Sequence, residues 1–143
     1  MWSVGGRFGM LLSVLLTTLL IGVGTAHAQE TAELTIDRVG TFDAATGIAT
    51  ITGTYSCGDA TGVGLIEVTL QQQVGRISTV TGSGFADVDC ALSPTGTWSA
   101  QIAPTNGEFR GGQAFASARL AFDGAAVAEI GEPIRLTGGG QPQ

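Results

Sequence analysis

Between Ala49 and Cys57 the chain alternates with period two: Ala49, Ile51, Gly53, Tyr55 and Cys57 fall on one side, and Thr50, Thr52, Thr54 and Ser56 on the other. Only an extended strand separates two such sets, because successive Cβ atoms of a strand point to opposite faces. The same period recurs in Val63–Gln72, where Ile66, Val68 and Leu70 alternate with Glu67, Thr69 and Gln71. It recurs in Thr97–Ala103, with Trp98, Ala100 and Ile102 inward, and in Gln113–Phe122, with Ala114, Ala116, Ala118, Leu120 and Phe122 inward. Beyond residue 28 no stretch of about a dozen residues carries the 3.6 period of an amphipathic helix, so the domain is predicted to be all β.

Shorter runs complete the pattern. Leu34–Val39 reads as a strand before a turn at Asp43–Gly47, and Gly58–Gly62 as a loop. Ile77–Thr81 and Phe85–Cys90 flank Gly82-Ser83-Gly84, which suggests one long strand with a bulge or bend. Ser93–Gly96 and Asp123-Gly124 are turns, and Pro104–Gly112 is a loop. In the last strand, Ala126–Leu136, Pro133 removes a backbone donor and points to a sheet edge. About seven or eight short strands at this spacing predict an immunoglobulin-like antiparallel β-sandwich, with a small closed barrel as the alternative. The Cys–Trp–Cys order of true immunoglobulin domains is absent, since Trp98 follows both cysteines.

The N-terminus has a different logic. Residues 1–9 carry Arg7 and the amino terminus, Met10–Val23 is almost wholly apolar or Thr, and Ala26-His27-Ala28 supplies the small residues of a cleavage site. An apolar run of about 14 residues falls short of the ~20 that a spanning helix needs. Residues 1–28 therefore read as a cleavable signal peptide cut between Ala28 and Gln29, residues 29–136 as the exported domain, and residues 137–143 as a flexible tail. Export implies an extracellular or periplasmic location, with no stable membrane anchor after cleavage.

Processing changes the chemistry that remains. The exported part holds five arginines against twelve carboxylates, a balance of −7, and the chain has no lysine. Nucleic acid and anionic membrane surfaces are poor partners for such a charge. The single histidine, His27, leaves with the leader. Without His or Lys there is no ordinary base for a Ser, Thr or Cys nucleophile, and zinc ligation loses its usual donors. Cys57 and Cys90 reach an oxidising compartment and are predicted to form a disulfide, contributing about 3–4 kcal/mol in the chain-entropy model.

Carboxylate chemistry survives this exclusion. Asp87 and Asp89 lie two apart on a strand and hence on one face, about 6.5–7 Å apart at the backbone, a spacing open to paired acids or a shared cation. It is equally that of a solvated strand face. Asp59, in a Gly-rich loop without the P-loop lysine, is turn chemistry in which its carboxylate bonds backbone donors. Phe85 and Phe115 point away from the inner face, as a binding patch would. Phe109 and Arg110 lie in the 104–112 loop, and loops 58–62, 92–96 and 104–112 are where a sandwich carries contacts.

The order Gly53-Thr54-Tyr55-Ser56-Cys57, a strand ending Leu70-Gln71-Gln72, then Cys90, Trp98 and an Ala-rich strand after Phe109 resembles a family of uncharacterised small secreted actinobacterial proteins. The resemblance covers most of residues 48–120. It implies an immunoglobulin-like sandwich, one disulfide and export, and it carries no activity. The expectation is thus a secreted, non-catalytic β-sandwich that serves as a binding or envelope-associated module. Its partner would be a protein or a glycan, and it would need no cofactor or metal. The competing readings are a small carboxylate-dependent hydrolase using Asp87 and Asp89, and a structural surface protein.

Overall fold

The computed structural model describes residues 31–138, and within them the chain forms eight strands and no helix. These are β1 (Glu33–Leu34), β2 (Val39–Phe42), β3 (Ala49–Ser56), β4 (Val63–Val74), β5 (Ser78–Asp89), β6 (Thr95–Pro104), β7 (Gly112–Phe122) and β8 (Ala125–Gly138). The expected signal peptide, its cut between Ala28 and Gln29, and residues 139–143 of the expected tail lie outside the described residues. Thr137 and Gly138 belong to β8, paired with Thr41 and Phe42 of β2.

The sandwich expectation is overturned. All strands belong to one sheet, in the order β1-β3-β2-β8-β7-β4-β5-β6, and β6 then pairs back onto β3. Strands β3, β2, β8, β7, β4, β5 and β6 form a closed ring of seven, a barrel without two separate sheets. Closure follows from two seams that strand counting cannot anticipate. β2 runs parallel to β8, Val39 opposite Arg135, so the sheet is not purely antiparallel. β6 pairs along its length with β3 and, at Ala103 and Pro104, also with Ser83 and Gly82 of β5. β3 thus lies beside β6 of the β4-β5-β6 meander, and β7 beside β4, giving two overlapping Greek keys.

The expected bulge at Gly82-Ser83-Gly84 does not occur. β5 stays in unbroken register with β4 from Val63↔Asp89 to Val74↔Ser78. The glycines serve the β6 crossing: a Cβ on Gly84 would run into the carbonyl oxygen of Gln101, and one on Gly82 into that of Ala103. The barrel's one-residue bulge sits in β8 instead, where Val127 has no partner between Ala126↔Ala121 and Ala128↔Leu120. The two successive β7 residues across which the register shifts, Leu120 and Ala121, are both buried.

The expected strand at 34–39 is split into β1 and β2. Thr35 and Asp37 between them still donate to the carbonyls of Thr54 and Thr52 on β3. Trp98 is buried as expected, and its indole N–H donates to the carbonyl oxygens of both Thr35 (3.2 Å) and Thr54 (3.1 Å). The core is the inward parity of the strands, with Ile51, Ile66, Leu70, Ile102, Leu120 and Leu136 fully buried.

Cys57 and Cys90 are bonded, with Cα atoms 6.1 Å apart. The bond joins the end of β3 to the end of β5 across β6. β5 and β6 share only two paired positions, both at the opposite end of the barrel. The disulfide therefore holds the barrel together where the β5–β6 ladder has stopped.

Candidate functional site

Strand direction places the loops at two ends. Loops 57–62 and 90–94 and the 123–124 turn share the disulfide end, tied by Cys57 N–H to the Pro94 carbonyl and Cys90 N–H to the Gly62 carbonyl. Turn 43–48 and loops 75–77 and 105–111 share the other end. The three loops expected to carry contacts are thus divided, with 104–112 a full strand length from the other two.

Several expected site residues have structural occupations. Phe109 is 1% exposed and belongs to the core, so it offers no contact surface. Its loop turns inward because Gln72, on the inward parity of β4 and only 3% exposed, holds the neighbouring backbone. The Gln72 carboxamide donates to the carbonyls of Arg110 (2.8 Å) and Gln113 (3.3 Å) and accepts from Arg110 N–H (2.8 Å). Asp89 is half-buried, and one carboxylate oxygen accepts from the backbone N–H groups of Ala91 (3.0 Å) and Leu92 (3.3 Å). That local turn leaves Asp87 exposed beside a carboxylate already engaged. Asp59 is exposed and makes no side-chain hydrogen bond among the described residues. Its loop turns instead through the positive φ of Gly58 and the Ala60 N–H to Cys57 carbonyl bond. Among the described residues no three His, Cys, Asp or Glu side chains gather as metal ligands would.

The surface with shape lies elsewhere, on the outer face of β4, β7 and β8. A depression of about 470 Å3 is floored by Thr69, Ser117 and Gly131 and closed at one end by Glu67, Arg119 and Glu129. Those three charges stand in one row across the strands, Glu67 opposite Arg119 and Arg119 opposite Glu129. Arg119 Nε lies 3.3 Å from Glu67 Oε1, and its Nη2 donates to the Gly124 carbonyl (3.1 Å). An ion pair this exposed adds little stability; its effect is to hold the arginine in place.

A second depression of about 400 Å3 follows, with Gln71, Gln73, Gln113, Phe115 and Pro133 along its sides. A third, of about 390 Å3, shares Gln73 and Gln113 and ends at Arg110 and Gly111. The second and third share residues and the first adjoins the second by register, Thr69–Ser117 next to Gln71–Phe115, so the three lie in line as a shallow groove along β4 and β7 towards the 105–111 loop. Of the residues singled out from sequence, Phe115 and Arg110 line it, while Phe85 (60% exposed) stands beside it on β5, opposite Glu67. From sequence, no role attaches to the hydroxyl and amide residues of the groove. The signal for them was the matched outward parity of Thr69-Gln71-Gln73 and Gln113-Phe115-Ser117, which gains meaning only once β4 and β7 are neighbours.

Fold and groove together describe a small closed β-barrel with one disulfide and one structured outer face. The chain belongs to the DUF6299 family, a family of unknown function whose model matches residues 30–128. No curated protein and no solved structure matches the chain. The family match runs from β1 to Ala128, early in β8, so it includes β4 and β7 but none of the β8 residues that line the groove.

Proposed function

We propose that the protein is an exported, non-catalytic binding module that holds its partner on the outer face of β4, β7 and β8. The groove carries this reading: three depressions in line, walled by charges at one end and floored by side chains that the core does not use. The Cys57–Cys90 bond supports export, because disulfides persist in oxidising compartments, and so does the apolar leader that precedes the family match. The engagement of Asp89 in its own turn favours a non-catalytic role over a hydrolase built on Asp87 and Asp89.

The test is retention of the purified protein on the envelope and medium fractions of the producing cell, compared among three forms. Ser117→Trp fills the groove floor, whereas Thr97→Trp adds the same bulk to the exposed outer face of β6. Wild type and Thr97→Trp are expected to be retained and Ser117→Trp released. Equal retention of all three would overturn the groove as the binding surface.

A further inference from the structure

We infer that the occupant of the groove is a neutral oligosaccharide lying along β7 from Arg119 to Gln113; this rests on the groove being the binding surface. The groove presents hydroxyls from Thr69 and Ser117 and carboxamides from Gln71 and Gln113. Among the described residues none of these four side chains makes a hydrogen bond within the protein, so their donors and acceptors are all on offer. Uncharged groups that both donate and accept match sugar hydroxyls, which do the same. Phe115 supplies the apolar element. A Cβ on Gly131 would lie 3.0 Å from its Cζ and 3.2 Å from its Cε1, so the ring rests over the glycine of the neighbouring strand. One side of the ring is covered in this way and Phe115 stays 47% exposed, a shelf for the C–H face of a sugar ring. From Gln113 to Arg119 the strand covers about 20 Å, the reach of a chain and not of one sugar.

Charge and topology disfavour the rival occupants. Glu67 and Glu129 flank Arg119 at one end of the groove and outweigh it, Arg110 at the far end only balances the count, and the exported part carries a balance of −7, so a polyanion is repelled. An extended peptide gains its affinity by adding to a free strand edge. β4 already lies between β5 and β7, and β7 between β4 and β8; the open edge of β8 over 125–134 faces away from β7, so a peptide added there would lie beside the groove and not along its floor.

The experiment is a titration of the isotope-labelled, disulfide-intact protein, followed by amide chemical shifts. The probes are tetrasaccharides of β-1,4-glucose, β-1,4-N-acetylglucosamine, α-1,4-glucose and α-1,6-mannose, with polygalacturonate as the anionic control. At least one neutral tetrasaccharide is expected to shift Thr69, Gln71, Phe115 and Ser117 together. Phe115→Ala and Gln71→Ala are each expected to weaken that binding about tenfold or more, whereas Phe85→Ala, beside the groove, leaves it within about twofold. Phe115→Leu keeps Gly131 covered while removing the ring, and is expected to weaken binding as Phe115→Ala does. If no neutral tetrasaccharide shifts these amides, or if Phe115→Leu binds as wild type does, the inference is overturned. Shifts at the same amides with polygalacturonate alone would overturn the neutral saccharide yet keep the groove as the binding surface. Saccharide shifts confined to Asp59, Asp87 and their neighbours would overturn both.

Discussion

Gln72 shows how one side chain decides where a loop lies. Its carboxamide satisfies the backbone of Arg110 and the carbonyl of Gln113, and so holds the chain on either side of the segment that delivers Phe109 to the core. Gln72→Leu keeps the volume but leaves those backbone groups unpaired. The expected loss is about 2–3 kcal/mol in urea unfolding, with faster amide exchange across 105–111. A loss below about 0.5 kcal/mol would show that water replaces the amide freely. Gly84 makes the complementary case, because what matters there is the missing side chain. Gly84→Ala drives a methyl into the Gln101 carbonyl and is expected to cost about 3 kcal/mol or prevent folding. Ser83→Ala, one residue away on the outward face, should change stability by no more than about 0.5 kcal/mol. The glycines were visible in the sequence, and their role was not: a bulge and a close strand crossing call for the same residue.

Among the elements, β8 carries a long open edge. It pairs with β7 along its length but with β2 only from Arg135 to Gly138, so residues 125–134 leave one edge unpaired by strand hydrogen bonds. Arg135 N–H donates to the Arg38 carbonyl on the β2 side, which places the missing N–H of Pro133 on that same side. Pro133 thus sits at an edge, as its chemistry requires, although the same strand is interior two residues later. Glu132, on the inward parity and half-buried, and the bulge at Val127 blunt the edge further. The pair Glu132→Val and Pro133→Thr restores a flat, apolar edge. It is expected to turn a concentration-independent elution volume into concentration-dependent association in sizing. The disulfide acts at the same scale. Replacing both Cys57 and Cys90 by Ala is expected to cost about 3–4 kcal/mol, with exchange rising first along 88–98, where β5 and β6 are not paired. Unchanged exchange there would mean the bond does not guard that seam.

For the whole molecule, most strands were legible because their inward residues alternate with threonine, serine and charged groups, and a buried face tolerates no slip of one residue. The order of the strands was not legible. Nothing in Val39–Phe42 distinguishes a strand that will run parallel to β8 from one that pairs only with β3. Nothing in Thr97–Ala103 states that its end will also meet β5. The sandwich and the barrel therefore shared one reading of elements and differed in two seams. The groove inherits this limit, since Thr69, Gln71, Phe115 and Ser117 become one surface only when β4 and β7 are neighbours. Asp87 and Asp89 stand out for the opposite reason: their proximity is written in the sequence, whereas the turn over 89–92 that engages Asp89 is not, since the residues there read as the end of a strand with a turn only at Ser93–Gly96.

Closure of the barrel is what every later step depends on, and it can be observed directly. Nuclear Overhauser contacts between the backbones of Ser83 and Ala103, and between those of Val39 and Arg135, report the two seams in a single experiment. Both sets are expected in the disulfide-intact protein. Absence of either set, with the β3–β6 and β4–β7 contacts intact, would mean an open sheet and would contradict the closed barrel.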